Sequence, residues 1–232
     1  MDIKLNLESL KNDIAAICKN CGRDPSEVKL VAVSKTKPVE MIKQAYECGV
    51  TDFGENYIQE AEGKSELLKE TDIKWHVIGP VQTNKVKHIT RFCSLLHSLD
   101  RESLADALQK RLEFENKTLD TLIQINTSGE TTKSGISPEN IFDLAKYIST
   151  KDRIKVKGLM TIAENTDDEN EIRKNYKQLK QIFNELKVIH YSNFDIKELS
   201  MGMSGDYKIA IEEGATIVRI GSTIFGARDS KK

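Results

Sequence analysis

The sequence has no long apolar run. Its clean apolar stretches, such as Leu30–Val33, fall far short of the roughly 18 residues that a membrane span requires. The start, Met1-Asp2-Ile3-Lys4-Leu5-Asn6, lacks the basic-then-apolar form of a secretory signal, so a soluble cytoplasmic protein is expected. Charge of one sign is also missing. The 35 basic and 36 acidic side chains leave a net charge of −1, and neither half of the chain is strongly basic. That balance argues against a nucleic-acid protein held by bulk charge. No proline-rich or Gly/Ser-rich linker, low-complexity segment or short repeat divides the chain. At 38% hydrophobic and 31% charged over 232 residues, it reads as one globular domain with a core large enough to need no staples.

Metal and hydrolase motifs are absent too. Of the four cysteines, Cys18 and Cys21 form a C-x-x-C, but no second C-x-x-C or H-x-x-x-H completes a metal site. They border a helical stripe of Leu7, Leu10, Ile14 and Ile17, which predicts buried thiols on an N-terminal helix. The histidines, His76, His88, His97 and His190, have no metal-ligand spacing, so no metal is expected. His76 and His97 fall on strands and read as hydrogen-bonded interior residues, with reach to a ligand pocket as the alternative for His76. There is no G-x-x-x-x-G-K-[ST] loop. Gly202-Met203-Ser204-Gly205-Asp206 fails as a G-x-S-x-G elbow at its fifth residue. Lys85, Lys87 and Arg91 read as a solvated helix face, with a partner or transit role as the alternative.

What is present is alternation. Strand-like runs fall at Lys29–Ser34, Thr51–Gly54, Lys74–Ile78, Ser94–Ser98, Leu119–Asn126, Lys155–Met160, Glu198–Met201 and Thr216–Ile220. Helical patterns separate them. Pro38 opens one helix, Asp100 is placed to cap another, and Ser137-Pro138-Glu139 supplies a cap and first-turn proline. Thr166-Asp167-Asp168-Glu169 reads as a capping box ahead of Ile172, Tyr176, Leu179, Phe183 and Leu186. A last helical turn falls at Ser222–Phe225. Eight βα units in this length predict an α/β fold, a closed (β/α)8 TIM-type barrel with an extra N-terminal helix, spanning residues 1–232 as a single domain.

In such a barrel the functional face lies at the carboxyl ends of the strands. That rule selects Lys35, Glu55, Asn56, Gly79-Pro80, Ser98, Asn126, Met160-Thr161, Gly202–Ser204 and Arg219–Ser222. Phosphate sites commonly use the loops after the seventh and eighth strands, where Gly202, Ser204, Gly205, Gly221 and Ser222 offer close backbone approach and hydroxyl donors. Closure brings the eighth strand beside the first, and hence Lys35 beside those loops. Lys37 competes, but it precedes Pro38 and the helix and is expected to face solvent. A lysine among packed strand ends is expensive unless it acts. An amine beside a phosphate site points to a phosphorylated aldehyde held as a Schiff base. Pyridoxal phosphate (PLP) and a sugar phosphate both fit. Arg219 favours the first, since a guanidinium can donate to a pyridine nitrogen.

Seven blocks then carry a family resemblance. They are Val33-Ser34-Lys35-Thr36-Lys37-Pro38, Phe53-Gly54-Glu55-Asn56-Tyr57, Trp75 through Lys85, Lys133-Ser134-Gly135, Gly158-Leu159-Met160-Thr161, Leu199 through Ser204, and Val218-Arg219-Ile220-Gly221-Ser222. In this order they resemble the pyridoxal phosphate homeostasis proteins, related to the alanine racemase N-terminal barrel. Departures are mild: Val77, Val81 and Thr83 stand where Phe, Leu and Ser are frequent, and Ser222 keeps the hydroxyl of the usual Thr. The resemblance implies a fold-type III PLP protein with Lys35 as the Schiff-base lysine. It also implies Asn56 and Met160 near the cofactor, Arg219 at its pyridine nitrogen, and Ser204, Gly221 and Ser222 at its phosphate. It implies a role in vitamin B6 homeostasis and, indirectly, amino-acid balance, with no catalytic residues assigned.

The expected protein is a monomer and binds no nucleic acid or membrane. PLP-dependent apoenzymes are candidate acceptors. An amino-acid racemase is the alternative. Such racemases take a second base from an additional domain, whereas only 12 residues follow Ile220, and Tyr57 and Tyr207 are the tyrosines nearest the predicted face.

Overall fold

Short runs rich in valine, isoleucine and leucine become the strands, as expected of strands buried on both faces. The structure is a computed structural model that describes residues 2–130, 132–164 and 166–227. Its strands are β1 (Lys29–Val33), β2 (Asp52–Glu55), β3 (Lys74–Val77), β4 (Cys93–Leu99), β5 (Leu119–Gln124), β6 (Ile154–Met160), β7 (Phe194–Ser200) and β8 (Ile217–Ile220). Each pairs in parallel with the next. β8 returns to β1, with Lys29 opposite Ile217 and Ala32 opposite Ile220, which closes a (β/α)8 TIM barrel.

The helices are α1 (Ile3–Asn20), α2 (Val39–Glu47), α3 (Ile58–Leu67), α4 (Val86–Ile89), α5 (Glu102–Glu115), α6 (Ile141–Ile148), α7 (Glu169–Lys187), α8 (Tyr207–Glu212) and α9 (Ser222–Phe225). Periodic apolar faces seat them: Leu104, Leu108 and Leu112 on α5, and Ile172, Tyr176, Leu179, Phe183 and Leu186 on α7, are all buried. Each such side chain contributes roughly 1.5–3 kcal/mol on burial. The α1 stripe of Leu7, Leu10, Ile14 and Ile17 is buried against α2, α8 and α9, so this helix covers the seam between β8 and β1. A second, smaller core of Val31, Leu95, Leu122, Met160 and Ile217 fills the barrel interior. Among the described residues no helix is long and apolar enough to cross a membrane.

The structure corrects four local readings. Asp100 does not cap α5: Arg101 is the cap residue without a side-chain bond, and the Asp100 carboxylate accepts from Arg101 Nη1 at 2.6 Å instead. The cap of α7 is Asp168, which accepts from the Asn170 amide at 2.9 Å, while Thr166 Oγ1 accepts from the Asp168 amide at 3.1 Å. The box therefore sits two residues early. Cys18 is buried, but Cys21 falls beyond the last turn of α1 and is exposed. β7 begins at Phe194 rather than Glu198, because Asp195 and Lys197 point into a ring of charge at the lower, amino-terminal mouth and break the apolar signature of a strand.

Candidate functional site

A cavity of about 490 Å³ opens at the carboxyl end of the barrel. Lys35, Asn56, Ser204, Arg219, Gly221 and Ser222 line it together, as the strand-end rule predicts. Met160 does not. Its side chain is fully buried in the barrel interior among Val31, Leu95, Leu122 and Ile217, beneath the cavity.

Lys35 lies two residues beyond β1 and is half-buried. The backbone around it is held by a buried polar cluster behind the strand ends. Ser34 Oγ donates to Glu55 Oε1 at 2.7 Å. Lys64 Nζ donates to the Ser34 carbonyl at 2.7 Å, to Glu55 Oε1 at 2.8 Å and to Glu60 Oε1 at 2.6 Å. Glu60 Oε1 also accepts from the Thr36 amide at 2.6 Å. Burial pushes the Glu55 carboxyl up, against the hydrogen bonds from Lys64 and Ser34, and its Oε2 atom is buried without a partner.

Lys37 corrects an expectation. It is not solvent-facing: its ammonium donates to the carbonyls of Phe225, Gly226 and Ala227 at 3.0, 3.2 and 3.1 Å. A cation is favoured there because the last carbonyls of α9 lack helical partners. Lys133, a third lysine on the cavity wall, donates to Glu130 Oε1 and, at 2.8 Å, to the Ala163 carbonyl. Both are thus engaged as ammonium donors to the backbone.

Arg219 projects from β8 and is 4% exposed. Its Nη1 donates to Ser200 Oγ at 2.7 Å and its Nη2 to the Thr161 carbonyl at 2.8 Å. Burial lowers its pKa from the ordinary arginine value, and Tyr176 and Asp206 oppose the shift, so the guanidinium stays charged at neutral pH.

The two glycine-rich loops complete the lining. The Gly221 amide donates to Ser204 Oγ at 3.3 Å, tying one loop to the other. The carboxylate of Asp206 accepts from the Met203 amide at 2.5 Å and from the Tyr176 hydroxyl at 2.8 Å, which anchors the first loop on α7. Gly202 has φ +94° and packs so closely on α8 that a Cβ would lie 2.6 Å from Ala210 Cβ. At Gly79 a Cβ would lie 2.5 Å from the Asn56 carbonyl oxygen, so only glycine lets the loop after β3 press Asn56 into place.

Several lining residues were not singled out from sequence. Gln124 ends β5 and donates to the Ser134 carbonyl at 2.9 Å, whereas Asn126, the expected strand end, instead donates to the Glu130 carbonyl at 2.8 Å and folds the next loop. Ending the strand at Gln124, a polar residue after Leu122-Ile123, was the available signal. Ile78 and Ile162 are on the wall, but nothing in an isoleucine distinguishes wall from core. Ser98 donates to the Gly79 carbonyl at 2.6 Å outside the cavity. His76 does not reach the cavity: its ring lies at the lower mouth, bonded to Asp52 and His97.

The donor set fits a phosphorylated pyridine aldehyde: an amine at Lys35, a fixed guanidinium at Arg219, and hydroxyl and first-turn amide donors at Ser204, Gly221 and Ser222.

The alanine racemase N-terminal domain family matches residues 5–229. The pyridoxal phosphate homeostasis protein of Aquifex aeolicus is 45% identical over 215 residues, or 93% of each chain. The solved structure of PipY from Synechococcus elongatus with PLP bound has a TM-score of 0.84 and 30% identity, over 97% of this chain and 100% of that one. Alanine racemase of Bacillus anthracis shares the fold, with a TM-score of 0.71 and 19% identity over 97% of this chain but 57% of its own. The barrel, the strand-end lysine and the relatives covering almost the whole chain agree: this protein belongs to the pyridoxal phosphate homeostasis protein family, on the fold of the alanine racemase N-terminal domain.

Proposed function

We propose that the chain is a single-domain PLP-binding protein that holds the cofactor on Lys35 and serves PLP homeostasis without turnover of its own. The observation that carries this reading is the convergence of Lys35, Arg219 and the Ser204, Gly221 and Ser222 donors on one cavity. PLP supplies an aldehyde that condenses with the Lys35 amine as a Schiff base, releasing water. Asn56 would border the ring, and Arg219 would donate to its pyridine nitrogen. A guanidinium at that atom keeps it unprotonated, which weakens the ring as an electron sink.

The absence of turnover is supported by the state of the two tyrosines that adjoin the site loops in sequence, Tyr57 after Asn56 and Tyr207 at the start of α8. Tyr207 donates its hydroxyl to Asp13, and burial with that bond pushes its pKa up to about 12, so it is no base at neutral pH. Tyr57 is exposed to solvent. Incubation of the PLP-loaded protein with L-alanine in heavy water tests this directly. No Cα deuterium and no D-isomer are expected; accumulation of both at useful rates overturns the non-catalytic reading. PLP-dependent apoenzymes are the natural acceptors. Faster activation of an apoenzyme by loaded protein than by the same free PLP concentration supports delivery.

A further inference from the structure

A line of hydrogen bonds crosses the barrel interior from its lower mouth to Arg219. Asp52 Oδ1 on β2 is 3.0 Å from His76 Nε2 on β3. His76 Nδ1 is 2.9 Å from His97 Nε2 on β4. His97 Nδ1 is 2.9 Å from Ser200 Oγ on β7, across the lumen, and Ser200 Oγ accepts from Arg219 Nη1 at 2.7 Å. His76, His97, Ser200 and Arg219 are all at most 4% exposed.

The two ends dictate the order between them. Arg219 has only donors to offer. At the other end burial pushes the Asp52 carboxyl up, but the bonds from His76 and Thr51 and the charge of Lys29 outweigh it and hold it low, so Asp52 is an acceptor. Burial and the neighbouring positive groups keep His97 neutral. With His76 donating Nε2–H to Asp52 and accepting at Nδ1, one arrangement satisfies every atom. Arg219 donates to Ser200, the Ser200 hydroxyl to His97 Nδ1, His97 Nε2–H to His76 Nδ1, and His76 Nε2–H to Asp52. Every donor points down the barrel toward the carboxylate. Such aligned bonds polarise one another, and a partly satisfied buried network is costly.

We propose that Ser200, His97, His76 and Asp52 are positioning residues for the cofactor ring, a one-way relay that fixes the Arg219 guanidinium at the cavity floor. The Thr161 carbonyl holds Nη2 alone; the relay supplies the second point that sets the plane of the guanidinium. The inference rests on the PLP reading above, and it adds residues that never touch the ligand. It also gives a task to two buried histidines that the apolar interior of a barrel would otherwise exclude.

The test has two parts. In the unliganded protein, long-range nitrogen–proton NMR of the histidine rings should show His76 and His97 both protonated at Nε2. His97 protonated at Nδ1 overturns the relay whatever the cofactor does. PLP titrations then compare variants. His97→Phe and Ser200→Ala should each weaken PLP binding about tenfold and move the absorption band, because a buried donor is left unmatched. His97→Gln should recover most of the affinity, since its amide accepts from Ser200 and donates to His76 in the same order. Leu122→Val, a change of interior packing outside the relay, should lower thermal stability without changing affinity. Wild-type affinity and spectrum in both His97→Phe and Ser200→Ala overturn the proposal. Failure of the wild-type protein to bind PLP overturns the functional reading instead, and the tautomers still decide whether the relay is ordered as described.

Discussion

The Thr36 amide donates to Glu60 Oε1 at 2.6 Å, and Thr36 has φ +64°, a left-handed conformation that a β-branched residue resists. This residue immediately follows Lys35, so Glu60 compensates backbone strain beside the lysine proposed to hold the cofactor. Thr36→Gly should leave stability within about 1 kcal/mol of wild type, relief of strain offsetting the freer unfolded chain. Glu60→Gln should instead weaken PLP binding severalfold with a small stability loss. Urea denaturation beside a PLP titration separates the two effects.

Lys64 is the cation of the same cluster, 2.8 Å from Glu55 and 8% exposed in its side chain. Removing one partner of a buried pair strands the other. Lys64→Met should destabilise by about 3–5 kcal/mol, and adding Glu55→Gln should return a large part of that. Equal stabilities of the single and double variants, measured by chemical denaturation, would contradict the cluster as described.

Lys37 fastens the end of α9 through three carbonyls. Lys37→Met should cost about 1–2 kcal/mol and loosen the loop carrying Gly221 and Ser222. It should not prevent Schiff-base formation. An absorption spectrum with PLP checks this: the band should persist in Lys37→Met at reduced affinity.

His97 sets a pH dependence. Its folded pKa is held well below the ordinary 6.5 by burial and nearby positive charge. The unfolded chain therefore binds a proton that the folded protein refuses. Stability from this group is complete above pH 6.5 and falls as pH drops below it, by up to about 1.4 kcal/mol per unit. Unfolding free energies at pH 7.5, 6 and 5 should show a slope that His97→Gln reduces. An unchanged slope would mean that His97 is charged in the folded state.

Much of this was legible in the sequence because it depends on local pattern. The apolar periodicity of Leu104, Leu108 and Leu112 placed α5, and the alternation of short apolar runs placed all eight strands of the barrel. Closure put Lys35 near Arg219 and Gly221. Features that depend on long-range partners were not legible. Nothing local says that Lys37 reaches Phe225, 188 residues away, or that His97 meets Ser200, 103 residues away. Asp100 and Thr166 failed as caps for a different reason. Several cap-forming residues compete at each helix start, and an adjacent Arg101 or Asp168 changes which one wins. Met160 stands at a strand end, yet its side chain turns inward, and strand-end position alone does not fix depth.

We propose Lys35, rather than Lys37 or Lys133, as the lysine that carries the cofactor. Borohydride reduction of the PLP-loaded protein followed by peptide mass analysis tests it most directly. Loss of the visible band and a pyridoxyl adduct on Lys35 are expected, with no adduct or band in Lys35→Ala. A full-occupancy band in Lys35→Ala, or an adduct confined to another lysine, would contradict it.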